Sequence, residues 1–445
     1  MSYVLNGNLE KTFQIIDYGK GVYLYDNNGK EYIDASGGAV VVNIGHGIKE
    51  ITKAMITQAE KVSFVYQGQF SNEPKEALSK EVISFTSGDF SKVFYISGGS
   101  EATESALKIA RQYHIETGNE SKYIVISRWQ SYHGNTIGAL SMSGRTSWRK
   151  YYTPYLCDFP HIASPYCYRC YYKKEYPDCG LLCAYDLENT INLIGAEYIS
   201  AFIAEPVTGG TVPALAPPPG YFKIIREICD RYNVLFISDE VLCGFGRTGK
   251  NFGIDHWDVK PDLMAVGKGL AGGYTPIGAV IISEKIYEGF KNGSGHVMHS
   301  HTYGGNPLSC AIALSVLKYI KSNNLVQRSK EMGNYLFKKA QELSNIKIIG
   351  EIAGGKGLLL GIELVKDKKT KEPFEKKLNL SSRIVNEAFE EGLVILPGSG
   401  GCVDGVNGDR IELSPPFIVT KQEIDIIIEK LKKVLLRIED QCSHL

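Results

Sequence analysis

Short apolar runs alternate with longer amphipathic stretches over most of the chain. Six runs have the length and composition of buried strands: 93–96, 123–127, 199–204, 234–238, 263–266 and 279–283. Between several of them, as over 103–114 and 222–232, apolar residues recur at helical spacing. Repeated strand–helix–strand units of this length predict an α/β fold with a parallel, doubly wound sheet flanked by helices.

The pattern changes near both ends of the chain. Beyond residue 325, three helical patterns at 325–343, 381–391 and 421–438 are separated by short strand-like pieces. Residues 1–60 hold two strand-like pieces, 21–25 and 31–34, and a glycine-rich turn. We therefore predict an N-terminal segment (1–60) that packs with a small domain, a large domain (61–324) and a C-terminal α+β small domain (325–445).

Composition narrows the class of protein. The 445 residues include 49 Lys and Arg against 49 Asp and Glu, and 43% are hydrophobic, as in globular proteins. No basic block favours nucleic acid or an anionic membrane surface as a partner. The start of the chain lacks the apolar core of a secretory signal, and no apolar run is long enough to span a bilayer. We therefore expect a cytoplasmic protein.

Two predicted strands end in an acid and a lysine. Asp239 follows the run 234–238, and Lys268 follows the run 263–266 after one glycine. Because ligands of open α/β sheets bind beyond the carboxyl ends of the strands, we expect both side chains over one crevice. A desolvated lysine can attack an aldehyde, and a carboxylate can keep a pyridine ring protonated, as pyridoxal 5'-phosphate (PLP) requires. The alternative is a helix-capping aspartate and a solvated loop lysine.

Three further strand ends carry candidate ligands. Gly99 and Ser100 stand between the run 93–96 and a helical pattern, an arrangement that binds phosphate but is also found at ordinary helix caps. Tyr132 follows the run 123–127, where its ring can stack on a flat cofactor or simply pack in the core. Glu205 follows the run 199–204 and adds a second acid to the same rim.

A cysteine-rich insertion, residues 165–185, interrupts the α/β pattern. It contains Cys167, Cys170, Cys179 and Cys183 among several tyrosines. Two close cysteine pairs are typical of a small structural zinc site, although the spacer is shorter than in most zinc ribbons. Iron–sulfur binding, reversible disulfides and four free thiols stay open, and no metal ligand is included among the predicted site residues.

One segment competes as a phosphate loop. Residues 244–250, GFGRTGK, nearly match the nucleotide-binding pattern, but Asn251 stands where Ser or Thr is required. Little helical pattern follows, whereas such a loop must lead into a helix. Nucleotide hydrolysis is therefore a poor alternative.

Several of these segments together carry a resemblance to a known family. SDEVLCGFGRTG and PDLMAVGKGLAGGYTPIGA, with SGGSEA, YHG, AEPV and HTYGGNP in the expected order, resemble the class III aminotransferases. These are the omega-aminotransferase group of PLP enzymes. The resemblance covers nearly the whole chain. It implies the PLP-dependent transferase fold (fold type I), with a mostly parallel seven-stranded sheet in the large domain and a smaller α+β domain.

The resemblance also implies roles for residues at the centre of the site. Lys268 resembles the lysine that forms the Schiff base with PLP and later moves the Cα proton as a base. Asp239 corresponds to the acid that pairs with the pyridine nitrogen. Tyr132 and Val241 would enclose the ring, with His133 in a supporting role beside Tyr132.

Other roles concern the periphery of the site. Gly99 and Ser100 resemble the residues that bind the phosphate, and Glu205 resembles an acid that pairs with an arginine near the substrate. Thr302 resembles a residue that reaches the phosphate from a second subunit, which implies a homodimer. Related enzymes usually place a carboxylate-binding arginine shortly before a Pro-Pro pair, but Arg410 stands at neither expected spacing.

We therefore predict a PLP-dependent aminotransferase. It would transfer an amino group from a primary amine or ω-amino acid to a 2-oxo acid such as pyruvate or 2-oxoglutarate, in a ping-pong mechanism through pyridoxamine phosphate. An aminomutase, racemase or decarboxylase on the same site is the alternative, because the same lysine and electron sink serve all of these reactions. A non-catalytic binding protein is less consistent with the sequence, since binding alone requires neither Lys268 nor Asp239.

Overall fold

The computed structural model describes residues 3–9, 11–398 and 400–442. Its strands are β1 Ile16–Lys20, β2 Tyr23–Asp26, β3 Glu31–Asp34, β4 Phe90–Ile96, β5 Ile124–Arg128, β6 His161–Ile162, β7 Ile199–Ala204, β8 Leu235–Asp239, β9 Leu263–Val266, β10 Gly278–Ser283, β11 Ile349–Ala353, β12 Leu360–Leu364, β13 Leu393–Val394, β14 Leu396–Pro397 and β15 Asp409–Leu413.

The helices follow the same chain order. They are α1 Gly37–Val40, α2 Lys49–Lys61, α3 Glu73–Phe85, α4 Gly99–Glu116, α5 Ile137–Met142, α6 Thr146–Tyr152, α7 Leu182–Ile194, α8 Tyr221–Arg231, α9 Glu284–Asn292, α10 Pro307–Ser322, α11 Leu325–Ala340, α12 Leu380–Glu390 and α13 Lys421–Cys442. None of the helices in the described ranges is both long and apolar enough to cross a membrane.

A seven-stranded sheet in the order β4-β10-β9-β8-β7-β5-β6 forms the centre of the molecule. Strands β5 to β9 run parallel, and β10 is antiparallel to both of its neighbours. Every residue of β7, β8 and β9 is buried, as is usual for parallel strands covered on both faces. The predicted α/β class and mostly parallel seven-stranded sheet are confirmed.

Helices cover both faces of this sheet. The buried positions of α4 include Ala102, Ala106 and Ile109, which recur at helical spacing and therefore form one apolar stripe. That stripe packs against strand residues such as Ile237 on one face, whereas Phe222 of α8 packs in the cluster on the other face. Burial of an Ile or Phe side chain stabilises the fold by about 1.5–3 kcal/mol, so these stripes fix the helices against the sheet.

Two smaller sheets lie outside the central sheet, and one of them joins the two ends of the chain. One has the order β1-β2-β3-β13, in which β3 and β13 are parallel and Ile33 pairs with Leu393. The other is antiparallel, in the order β11-β12-β15-β14. The N-terminal strands therefore share a sheet with a strand from the C-terminal part, while the domain boundaries at 60 and 324 stay predictions.

The cysteine-rich insertion packs against the C-terminal sheet. The hydroxyl of Tyr166 and Nε of Arg169 both donate hydrogen bonds to the carboxylate of Glu363 on β12. Nζ of Lys371 donates to the carbonyl oxygen of Tyr168 at 2.7 Å. Polar and charged contacts thus connect the insertion to a part of the chain about two hundred residues away.

The cysteines of the insertion are free thiols in the structure. Within the described ranges, no group of three or more His, Cys, Asp or Glu side chains is arranged to hold a metal ion, and this includes the four cysteines. Burial raises the pKa of the Cys183 thiol to about 12, with the three other cysteines of the insertion contributing. That thiol is therefore protonated at neutral pH.

Candidate active site

A cavity of about 200 Å³ lies at the carboxyl ends of the parallel strands. It brings together eight of the nine predicted site residues: Gly99, Ser100, Tyr132, His133, Glu205, Asp239, Val241 and Lys268. Thr302 does not line it. The rule that ligands bind beyond strand ends predicted that Asp239 and Lys268 would lie over one crevice, and both line this cavity.

A larger groove of about 780 Å³ lies elsewhere on the sheet, beside the starts of β4, β9 and α9. Several of its charged side chains are paired with one another. Asp262 accepts from Arg226 at 2.8 Å and from Lys285 at 3.1 Å. Because these charges already have partners, we assign the chemistry to the smaller cavity.

Asp239 is held in place by two hydrogen bonds. Its Oδ2 lies 2.7 Å from Nδ1 of His133, and its Oδ1 accepts the backbone N–H of Val241 at 3.1 Å. The His133 backbone N–H in turn donates to Ser143 Oγ at 2.8 Å, and both His133 and Asp239 are buried. The carboxylate at the end of β8 therefore has a fixed orientation.

Glu205 orients the segment that carries Tyr132 and His133. Its Oε1 accepts the backbone N–H of Tyr132 at 2.9 Å. Its Oε2 lies 3.3 Å from Nη2 of Arg128, a buried arginine at the end of β5. The buried Nε2 of His133, 3.9 Å from the same oxygen, has no hydrogen-bond partner in the structure. Sequence reasoning did not identify Arg128, although a charge that ends a buried strand is a usable signal.

Lys268 adopts an unusual backbone conformation at the end of β9. Its φ of +38° lies in the left-handed region, where a non-glycine residue costs about 1–3 kcal/mol. Burial lowers the pKa of its ammonium, while the negative charges of Glu412 and Asp239 act in the opposite direction. The lysine therefore loses its proton more readily than an exposed lysine. Glu412, fully buried on β15, was not found from the sequence.

The start of α4 forms another wall of the cavity. Its N-cap is Gly98, and no side chain caps the first turn. A Cβ at Gly99 would lie 2.6 Å from Cγ1 of Val241, and one at Gly134 would lie 2.6 Å from Oγ of Ser100. Glycine is thus required for close packing here, and the uncapped N–H groups leave a site suited to a phosphate.

Thr302 lies in an exposed loop outside the cavity. Nε2 of Gln67 donates to the adjacent backbone carbonyl of His301 at 2.6 Å. Large exposed hydrophobic side chains belong to the segments around Gln67 and Thr302: Phe64, Tyr66, Phe70, Met298 and Tyr303. Phe64 and Tyr303 contact each other edge to face, with ring centroids 5.6 Å apart.

The segment 244–250 is not a phosphate loop. Its Arg247 is buried, and Nη1 donates to the backbone carbonyls of Leu358 at 2.9 Å and Pro415 at 2.7 Å. The next element is the short 3-10 helix Gly253–His256 rather than an α-helix. The nucleotide-hydrolase alternative therefore lacks its structural requirement.

Comparison with known proteins identifies the family. The model of the class-III aminotransferases matches residues 5–435. The chain belongs to the class III aminotransferases. Among relatives of this aminotransferase, the uncharacterized YodT of Bacillus subtilis is 41% identical, over 98% of each chain. The putrescine–pyruvate aminotransferase of Pseudomonas aeruginosa is 35% identical over 96% of this chain and 91% of the relative.

A solved structure extends the comparison to three dimensions. The PLP-bound form of an amine transaminase from an uncultivated Pseudomonas species superposes with a TM-score of 0.91. It is 32% identical, and the match covers 98% of both chains. The predicted family and the PLP-dependent transferase fold are confirmed, and this class III aminotransferase is a PLP-dependent enzyme.

The residues of this cavity match PLP even without the comparison with relatives. The uncapped first turn of α4 suits a phosphate, and the buried carboxylate of Asp239 suits a protonated ring nitrogen. Lys268, whose pKa is lowered by burial, offers an amine in the same cavity. Each part of PLP therefore has a chemically matched group in this chain.

Proposed function

We propose that this enzyme transfers an amino group from a primary amine or ω-amino acid to a 2-oxo acid such as pyruvate or 2-oxoglutarate, in a ping-pong sequence. One observation carries the proposal: Lys268 and Asp239 follow adjacent parallel strands and line the same cavity as the uncapped start of α4. The name of the Pseudomonas aeruginosa relative, which states a diamine donor and pyruvate, supports this substrate class.

In this proposal Asp239 pairs with the ring nitrogen of the cofactor. Bound PLP supplies an electron sink for the electrons released when the donor loses a proton. Asp239 can hold the matching proton on the ring because its own orientation is set by His133 and by the N–H of Val241. His133 is then a positioning residue, and so is Glu205, through Tyr132.

Lys268 has two tasks. It would hold the cofactor covalently at rest, and after release its Nζ would take the proton from the amine-bearing carbon of the donor and deliver it to the cofactor carbon on the other side of the transferred nitrogen. A base transfers that proton efficiently only where water does not compete with it for the proton. The lowered pKa of Lys268 and the cavity around it support this role, because a neutral amine is required to accept a proton.

The remaining cavity residues bind and enclose the cofactor. Backbone N–H groups at Gly99 and Ser100, with the Ser100 hydroxyl, bind the phosphate. The side chains of Tyr132 and Val241 enclose the ring. The contact between Val241 and the Gly99 backbone supports a fixed position for the Val241 side chain.

We further propose a homodimer in which Thr302 of each subunit completes the phosphate site of the other. Thr302 is exposed and does not line the cavity of its own chain. The exposed apolar side chains of the neighbouring segments support an interface here. Phe64 and Tyr303 contact each other, and adjoining exposed apolar side chains, unlike single ones, mark surfaces that bind another protein.

The first test is an absorption spectrum of the purified holoenzyme, read before and after an amine is added. We expect the visible PLP band to fall with 4-aminobutyrate, β-alanine or putrescine, and to return when pyruvate is added, with formation of alanine. Persistence of the band with every amine, or loss of it without alanine formation, would contradict the proposal. An isomerised or decarboxylated product would instead assign the chain to the mutase, racemase or decarboxylase alternative.

A further inference from the structure

Arg145 has no acceptor for its guanidinium among the residues the structure describes. It follows Gly144 and precedes the first turn of α6, and its Nε is buried without a hydrogen-bond partner. The guanidinium carbon lies 3.8 Å from the ring centroid of Trp148 and 5.5 Å from that of Tyr132. Tyr132 lines the cofactor cavity, whereas Arg145 lines a second, small pocket with Gln130 and Gly401, so Arg145 reaches the cofactor cavity only past the ring of Tyr132.

The other arginines of this region already have partners. Arg128 pairs with Glu205, and Arg410 donates from Nη1 to Oε2 of Glu412 at 3.0 Å. Arg149 donates to three backbone carbonyls of segment 140–143. Burial, and then the positive charge of Arg410, lower the pKa of Arg145 to about 10, so it is still protonated at neutral pH. The buried Nε of this guanidinium has no partner among the described residues, which is unfavourable, and an anion would relieve this cost.

We propose that Arg145 binds the carboxylate of an ω-amino acid donor. This inference rests on the function proposed above and specifies its substrate class. A planar guanidinium can form two parallel hydrogen bonds with a carboxylate, and the rings of Trp148 and Tyr132 hold that plane beside the cavity.

Arg410 does not compete for this role in the structure. It is 1% exposed and its Nε also lacks a partner among the described residues, but Glu412 accepts an N–H of its Nη1 and so already supplies a negative charge. No arginine stands at the usual spacing before Pro415 and Pro416 either. Arg145 therefore supplies the carboxylate-binding charge from a different part of the chain, directly after the segment that carries Tyr132.

The experiment compares substrates that differ by one carboxylate. With the PLP-loaded enzyme, the donor half-reaction is followed by the visible band for 4-aminobutyrate and for propylamine. We expect Arg145→Gln to lower kcat/KM for 4-aminobutyrate by about 10- to 100-fold, the scale of one charge-assisted pair, and to leave propylamine within about twofold. Arg145→Lys, which keeps the charge without the planar fork, should show an intermediate loss.

The matched control is Lys150→Gln, which removes a positive charge from an exposed position of the same helix. This variant should leave kcat/KM unchanged for both amines. An equal loss with both amines would overturn the proposal and make Arg145 a support for Tyr132. No loss with either amine would overturn it as well.

A binding measurement separates this inference from the proposed function. Glutarate, a dicarboxylate that cannot donate an amino group, is titrated into the holoenzyme by calorimetry. We expect its dissociation constant to rise at least about 10-fold in Arg145→Gln and to be unchanged in Lys150→Gln. If no amine is turned over but this difference is found, the proposed function fails and the carboxylate site stands. Equal binding of glutarate by the wild type and Arg145→Gln would overturn the carboxylate site alone.

Discussion

At the scale of single residues, the strained backbone of Lys268 positions the amine on which the proposed reaction depends. A φ of +38° is costly for a lysine, so the surrounding structure must maintain it. The short 3-10 turn Lys268–Leu270 and the packing of Gly267 against the Gly99 backbone provide that support. The strain places the amine in the cavity together with Asp239.

The first prediction concerns Lys268→Ala. The phosphate and ring sites are formed by other residues, so the variant should still bind PLP, but without a covalent bond. Loss of the proton-transferring amine should lower transamination by at least about 10²–10⁴-fold, the usual contribution of such a group. Turnover and bound PLP are measured in parallel. Lys260→Ala, at an exposed position, is the control, and wild-type turnover by Lys268→Ala would refute the assignment.

A second prediction concerns Asp239→Asn. The amide keeps the shape and the hydrogen bond to Val241 but removes the charge opposite the ring nitrogen. We expect PLP to stay bound and the donor half-reaction to slow by about 10²–10³-fold, or about 3–4 kcal/mol. Stopped-flow absorbance gives this rate. Asp230→Asn, which breaks an exposed ion pair with Arg226, should have no effect on it, and an unchanged rate in Asp239→Asn would show that another group faces the ring.

Residue types at strand ends made much of the site predictable from the sequence. Lys268 and Asp239 could be found because a local rule ties strand ends to ligands. Arg145 and Glu412 could not, because they belong to a loop and to a distant strand that approach the cavity only through tertiary packing. No local sequence pattern marks Arg145, because its proposed role depends on the lack of a hydrogen-bond acceptor for its guanidinium in the folded chain.

At the scale of elements, the insertion and the C-terminal sheet share a buried group of carboxylates. Glu351 on β11 stands directly opposite Glu363 on β12. Glu363 accepts hydrogen bonds from Tyr166 and Arg169. Burial, with a further contribution from the charge of Glu363, raises the pKa of Glu351 to about 7, although Lys371 and Arg169 lower it.

A third prediction follows from this raised pKa. Since the pKa in the folded state lies above the ordinary value of 4.5, the native protein binds the proton more tightly than the unfolded chain. The resulting stabilisation is full below about pH 4.5 and is lost as pH rises through about 7. Between pH 5.5 and 8.5 the melting temperature of the wild type should therefore fall relative to that of Glu351→Gln. Glu342→Gln, at an exposed position, should follow the wild type; equal slopes in all three proteins would contradict the prediction.

Most elements followed from periodicity, and the exceptions have physical reasons. The predicted strands 199–204 and 263–266 agree with the structure to the residue. Strand β1 was missed because four of its five residues are exposed and no apolar alternation marks it. Strand β13 has two residues, and its pairing with β3 depends on a contact across more than three hundred residues. Such pairings are set by the folded chain rather than by local preference.

At the scale of the whole molecule, the proposed site is incomplete in one chain. The cavity contains the lysine, the acid and the start of α4, while Thr302 is exposed outside it. A hydroxyl supplied by a second subunit would make cofactor binding depend on assembly. Thr302→Ala should then weaken PLP binding and lower activity when PLP is limiting, without changing the monomer fold.

The last prediction tests whether Thr302 acts across subunits. Lys268→Ala and Thr302→Ala proteins are unfolded together, refolded as a mixture and assayed at limiting PLP. If Thr302 completes the partner's site, each mixed dimer contains one site with both Lys268 and Thr302 intact, and activity should exceed the mean of the two separate variants. If Thr302 serves its own chain, every site lacks one of the two residues, and the mixture should show only that mean. The controls are each variant refolded alone and the two variants mixed without unfolding. A gain in activity confined to the refolded mixture then distinguishes a shared site from an effect of Thr302 on the cavity of its own chain.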